Sequence, residues 1–168
     1  RAAGADGADP LPPQLTQRAR ELLGFAKTLL DRQRAFTADP VVVVVGPRMH
    51  AALATQTWPA SLTILPHLPN GQLLGLLREA TVVAVNGGSL LLQSVAQGVP
   101  LVAAPIAGDQ AARIDACAQR GAAVAAPLNA KALAAAMTAL LDDPVACAAL
   151  RAGTTQLALR NGVDTATE

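Results

Sequence analysis

Five consecutive valines, Val41–Val45, constrain this chain more than any other stretch. β-Branched side chains are stiff at χ1 and suit a pleated backbone better than a helix. A strand that is apolar on both faces belongs inside a sheet covered by helices on both sides, which is the mark of parallel α/β folds. Asp39-Pro40 and Gly46-Pro47 bound the run with turn signals. Four more short apolar runs follow, Leu62–Leu65, Thr81–Val85, Leu101–Ala104 and Ala122–Ala125, separated by stretches with leucine and alanine at helical spacing. With right-handed crossovers, this alternation predicts an α/β fold, a doubly wound parallel sheet with helices on both faces.

The spacing predicts a long amphipathic helix from Pro13 to about Ala35, carrying Leu15, Leu22, Leu23, Ala26, Leu29 and Leu30. Shorter helices are expected from Arg48 to about Ala54, around Leu73–Leu77, from Leu90 to Gln97 and from Ala111 to Arg120. Gly121 stands where a glycine would stop the last of these. Asn129 is placed to cap a helix through Leu141, and Asp143-Pro144 to open another running towards Arg160. Residues 1–13 carry no periodicity and read as a loop or linker, residues 14–168 as one domain, and the polar tail after Gly162 as loose. The absence of an initiator Met reads as the sign of a fragment.

Aromatic residues are 2% of the 168, so packing must come from Leu, Val and close backbone approach. The formal net charge is +1, and Arg18, Arg20, Lys27, Arg32 and Arg34 are interleaved with Glu21 and Asp31. That pattern is a solvated helix face rather than a nucleic-acid footprint. No apolar run approaches the roughly 20 residues needed to span a bilayer, and no cleavable signal is visible, so a cytoplasmic or membrane-peripheral protein is expected. Cys117 and Cys147 lie in predicted helices without the spacing of a zinc site and read as buried free thiols, with no metal expected. His50 and Trp58 are assigned to packing or surface.

In such a sheet a ligand binds outside the carboxyl ends of the strands, where the loops Pro66–Asn70, Asn86–Ser89 and Gly108–Gln110 fall. Gly87 and Gly88 stand between a strand and a helix. Two glycines there let the backbone approach a ligand closely, and the amides of the helix's first turn suit a phosphate. Gly98-Val99-Pro100 is, by structure alone, a helix stop and a strand start. Asp109 either caps the following helix or meets a ligand, and His67 is either a surface loop residue or a platform for a base.

From about Pro40 to Arg160 the chain resembles the C-terminal, donor-binding domain of GT-B-fold glycosyltransferases that use nucleotide-diphosphate sugars. The resemblance rests on Asn86–Ser89, Gln93, Gly98-Val99-Pro100, Pro105 and Asp109-Gln110, in that order, and on His67-Leu68-Pro69-Asn70, similar to the family's Trp-x-Pro-Gln. It implies a Rossmann-like domain in which Asn86, Gly87, Gly88 and Ser89 meet the diphosphate, Gln93 the ribose, His67 and Leu68 the base, and Asp109 and Gln110 the sugar. Asn86 replaces the family's phosphate-contacting His, and the segment from Asn86 to Gly98 is one residue shorter than in many relatives.

The resemblance further implies a UDP-sugar donor used as substrate, no cofactor, and an inverting, metal-independent transfer of a hexosyl or N-acetylhexosaminyl group. A helix N-terminus would stabilise the leaving diphosphate. The catalytic base is expected on an N-terminal acceptor domain or partner chain outside this sequence, so no catalytic residue is assigned here and this chain alone is expected to be inactive. A central first strand is likewise expected from an upstream segment or partner chain. Attachment to the inner face of a membrane would come through that missing half. A UDP-sugar epimerase of the same fold and a non-catalytic subunit of a split glycosyltransferase remain the alternatives.

Overall fold

The computed structural model describes residues 40–55 and 57–159, together with Gln17 and Gly24. The long helix expected from Pro13 to Ala35 lies outside the described residues apart from Gln17 and Gly24, both helical. The elements are β1 (Val41–Val44), α1 (Pro47–Leu53), β2 (Leu62–Leu65), α2 (Asn70–Glu79), β3 (Val83–Asn86), α3 (Ser89–Ala96), β4 (Leu101–Ala104), α4 (Gln110–Ala118), β5 (Val124–Ala125), α5 (Ala130–Asp142) and α6 (Pro144–Leu157). Strands and helices alternate as far as α5, which α6 follows directly, and every strand pair is parallel, as the valine run and its successors predict.

β4 is the centre of a three-stranded sheet ordered β3-β4-β5, and all four of its residues are buried. Its alternating faces sort the core. Leu101 and Ala103 pack with Val85, Leu91, Val95, Ile114 and Cys117, which brings α3 and α4 to one face. Val102 packs with Ala134, Met137, Leu140 and Leu150, which brings α5 and α6 to the other. Helices therefore cover both faces. Buried hydroxyls are satisfied within their own helices: Ser94 donates to the Leu90 carbonyl at 2.8 Å and Thr138 to that of Ala134 at 2.8 Å.

Local stop and start signals behave as their chemistry requires. Gly98 and Gly121 adopt φ of +71° and +67°. At each the next residue's amide reaches back five positions, Val99 to Ser94 at 3.1 Å and Ala122 to Cys117 at 2.9 Å, closing a Schellman motif. Asn129 accepts from the Ala132 amide at 2.8 Å, and Asp143 from those of Val145 and Ala146 at 3.0 and 2.9 Å.

The described strands form two parallel sheets rather than one, and the central first strand expected from an upstream segment or partner chain is not among them. β1 pairs with β2 alone, from Val41 opposite Leu62 to Val44 opposite Leu65, apart from the β3-β4-β5 sheet. The amides of Val41 and Val45 donate to Ser61 and Leu65 at 2.9 and 3.0 Å, so those of Val42 and Val44 point away from β2. Val83 likewise donates to Pro100 at 3.0 Å, which turns Ala84 and Asn86 away from β4. Among the described residues no strand pairs with either edge. The valine run is accordingly not buried on both faces, and Val42 is 44% exposed. β3 begins and ends later than Thr81–Val85, and β5 is shorter than Ala122–Ala125, because Ala122 and Ala123 are buried as packing residues outside the ladder.

Candidate functional site

β3 delivers Asn86 to the carboxyl rim of the sheet, and the chain turns through Gly87-Gly88 into α3. Asn86 Oδ1 accepts from the Gly88 amide at 2.8 Å, an Asx turn that fixes the loop from within. The Gly87 amide donates to Gln110 Oε1 at 3.2 Å, and the same oxygen accepts from the Ile106 amide at 3.0 Å. Gln110 therefore clamps the glycine loop to the loop that follows β4. A β-carbon at Gly87 would stand 2.7 Å from Gln110 Cβ and 2.9 Å from both the Gln110 carbonyl oxygen and Ile114 Cδ1. The loop thus passes directly over the first turn of α4, where only a glycine fits.

These contacts alter the expectation that Gly87 and Gly88 offer open amides. Both are paired with side-chain oxygens, and Gln110, expected at the sugar, is occupied in holding the loop. No side chain caps α3 at Gly88, and among the described residues the amides of Ser89 and Leu90 have no protein acceptor. Ser89 is exposed beside them. The open donors of this rim therefore lie one step further along the chain than the two glycines, at the positive end of α3.

Gln93, one turn into α3, donates from Nε2 to Asn70 Oδ1 at 3.2 Å. That bond joins α3 to the end of the Pro66–Asn70 loop, so the positions picked for ribose and base share one rim. His67 is exposed there and Leu68 half-buried. Asp109 does not cap α4: its backbone is helical, its side chain makes no cap bond, and it lies 72% exposed, 3.7 Å from the Arg113 guanidinium.

Arg113 was not among the sequence candidates. Its Nη1 donates to the Gly87 carbonyl, which makes it the cation bonded to this loop among the described residues. The i,i+4 spacing from Asp109 was the available signal, since oppositely charged residues four apart meet on a helix face. Cys117 lies deeper in α4. Burial pushes its thiol up, while Arg120 and Arg113 pull the other way. A cleft of about 290 Å³ adjoins the rim at the ends of β4 and β5, lined by Pro105, Ile114, Asp115, Ala125 and Pro127 among others. A larger cavity of about 470 Å³, lined by Leu140, Cys147 and Arg151, opens by Thr81, before the amino end of β3 and away from this rim.

Parallel sheets, helices on both faces and a glycine loop leading into a helix N-terminus define a Rossmann-like α/β fold of the kind found in GT-B glycosyltransferases. Residues 48–149 match the family described as UDP-glucoronosyl and UDP-glucosyl transferase, and the chain belongs to that family. Among solved structures, the spinosyn rhamnosyltransferase SpnG complexed with thymidine diphosphate superposes with a TM-score of 0.66 at 20% identity, over 86% of this chain and 37% of that one. The glycosyltransferase VinC in complex with dTDP gives 0.62 at 20% identity, over 90% and 40%. A protein described as a UDP-N-acetylglucosamine 2-epimerase from Listeria monocytogenes gives 0.66 at 15% identity, over 82% and 36%. At these identities the likeness is one of fold, and the chain spans well under half the length of each. Comparison with characterised protein sequences yields no match.

Proposed function

We propose that this chain is the C-terminal, donor-binding half of an inverting, metal-independent glycosyltransferase and that it binds a nucleotide-diphosphate sugar, with UDP as the nucleotide. The observation that carries this reading is the meeting of three separate loops at one rim. The Asn86–Ser89 loop is clamped onto the start of α4 by Gln110, and α3 is tied to the Pro66–Asn70 loop through Gln93 and Asn70. A diphosphate would lie on the amides of Ser89 and Leu90 and the Ser89 hydroxyl, in the field of the helix dipole. Asn86, Gly87 and Gly88 would shape the floor beneath it. Gln93 would face the ribose, His67 and Leu68 the base, and Asp109 the sugar, with Gln110 holding its neighbours in place.

No base is assigned to these residues, so the acceptor domain or a partner chain would provide it, and the same source would provide the strand that joins the inner edges of β1 and β3. The cytoplasm, or the inner face of a membrane reached through that other half, is the corresponding location. The fold likeness to a protein described as an epimerase supports a second reading, UDP-sugar epimerisation at the same rim.

Calorimetric titration with UDP, dTDP, ADP and GDP tests the binding claim. UDP is expected to bind most tightly, and Gly88→Asp to remove that binding, because a β-carbon there would stand 2.7 Å from Asn86 Oδ1 and the carboxylate would repel a phosphate. A folded full-length protein that binds no nucleoside diphosphate would refute it. Incubation with labelled UDP-sugar separates transfer or hydrolysis from epimer formation.

A further inference from the structure

We infer that Arg113 is the charge partner of the donor's diphosphate, a binding and specificity residue that does electrostatically what Asn86 cannot; this rests on the reading above. A pyrophosphate brings at least two negative charges to the rim, and a helix N-terminus offers the equivalent of only about half a positive charge. Asn86 is neutral and its oxygen is already bonded to the Gly88 amide. Arg113 holds the Gly87 carbonyl from the first turn of α4, and its second nitrogen faces Asp109 across 3.7 Å. The pair is weakly held, since the Asp109 carboxylate is 72% exposed and competes with water. The Arg113 side chain is itself 39% exposed, so the fork has room to turn.

Gly87 and Ser89 are two residues apart, no more than about 7.6 Å between Cα atoms, so an anion on the Ser89 and Leu90 amides would lie in the neighbourhood of the guanidinium held at the Gly87 carbonyl. There the guanidinium gives a bidentate contact to phosphate oxygens. Asp109, released from the ion pair, turns to the sugar hydroxyls. As the acceptor hydroxyl oxygen bonds to the anomeric carbon and gives its proton to the base outside this chain, the bond from that carbon to the diphosphate oxygen breaks. Its electron pair leaves with the diphosphate, so the added charge develops beside Arg113, where a fixed cation counts most.

The test uses the full-length protein titrated with UDP, UMP and uridine, in the parent, Arg113→Gln and Arg113→Lys forms. Gln removes the charge while keeping a polar side chain, and Lys keeps the charge without the planar fork. Arg113→Gln is expected to weaken UDP by about ten- to hundredfold, UMP by less and uridine not at all, with Lys in between and the salt dependence of UDP binding reduced in the Gln form. Equal UDP affinity in parent and Arg113→Gln overturns this inference and leaves donor binding standing. Equal losses for UDP and uridine reduce Arg113 to a structural tie and also overturn it. A parent protein that binds no UDP overturns both readings.

Discussion

Two helical glycines allow the same substitution to be tested with opposite expected signs. Gly153 is buried in α6, and a β-carbon built on it would stand 2.1 Å from the Gly121 carbonyl oxygen, 2.6 Å from the Gly121 carbonyl carbon and 3.2 Å from the Arg120 oxygen. These are backbone atoms of the Schellman turn after α4, so no flexible side chain can step aside. Ordinary contact begins near 3.4 Å, and Gly153→Ala therefore forces α6 outward by roughly 1 Å against a core with few voids. Overpacking of this kind costs about 1–3 kcal/mol, and more where the obstacle cannot move. Alanine returns about 1 kcal/mol of helix propensity. The net expectation is a loss of about 2 kcal/mol, which lowers Tm by about 4–8 °C for a chain of this size. Gly75, in the middle of α2, has nothing within 4 Å of its β-carbon position, so Gly75→Ala gains the propensity alone and raises stability by about 0.5–1 kcal/mol. Thermal and urea melts of both variants decide the matter. A Gly153→Ala protein that melts at or above the parent would refute the close-approach reasoning.

Gln110→Ala removes the oxygen that holds the Gly87 and Ile106 amides. It should destabilise the loop by about 1–3 kcal/mol, and hydrogen exchange at the Gly87 amide should accelerate accordingly while the β4 core stays protected. Cys117 keeps its proton in the folded state to a higher pH than in the unfolded chain, because burial raises its pKa. Its contribution is therefore complete below the ordinary thiol pKa and lost as pH rises through the folded one; urea midpoints should fall on the alkaline side, with a smaller fall in Cys117→Ala. The half-buried Cys147 should be labelled by a thiol reagent at once at pH 8, and Cys117 only on unfolding.

What was legible in the sequence is what is written locally. Val41–Val44, Leu62–Leu65 and Leu101–Ala104 are strands because each is a short apolar run between turn residues, and Gly98, Gly121, Asn129 and Asp143 end or begin helices through contacts within five residues. The break between β1-β2 and β3-β4-β5 was legible only through the family resemblance, which implies a central strand from outside these residues, since an apolar strand looks the same in sequence whether its edge is paired or open. The ends of the short strands were misplaced because Ala122 and Ala123 are equally suited to a ladder and to packing beside one. At the rim, the order of strand, loop and helix was legible and the hydrogen bonds between the loops were not. Asn86, Gly87, Gln110 and Arg113 meet across separations of up to 26 residues, which no periodicity records. Gly153 carries no local signal either, because its constraint belongs to a turn more than thirty residues earlier.

The Gly98-Val99-Pro100 segment shows how a purely structural signal governs the site. Gly98 ends α3, the Val99 amide closes that helix onto Ser94, and the Pro100 carbonyl accepts from Val83, setting β3 against β4 from Val83 opposite Leu101 to Asn86 opposite Ala104. A slip of one residue in that register would exchange the faces of β3, moving Val85 out of the α3–α4 core. It would also carry Asn86 and Gly87 away from the first turn of α4, where Gln110 and Arg113 hold the loop. The two ties to α4 cannot themselves choose the register, because each is a single polar contact, whereas the core beneath Val85, Leu91 and Leu101 excludes the alternative by burial. The geometry of the open Ser89 and Leu90 amides is therefore fixed from below by the strand pair and trimmed from the side by α4. Substitutions in the Pro105–Asp109 loop should change ligand affinity with little effect on stability, while substitutions in Gly98–Pro100 should change both.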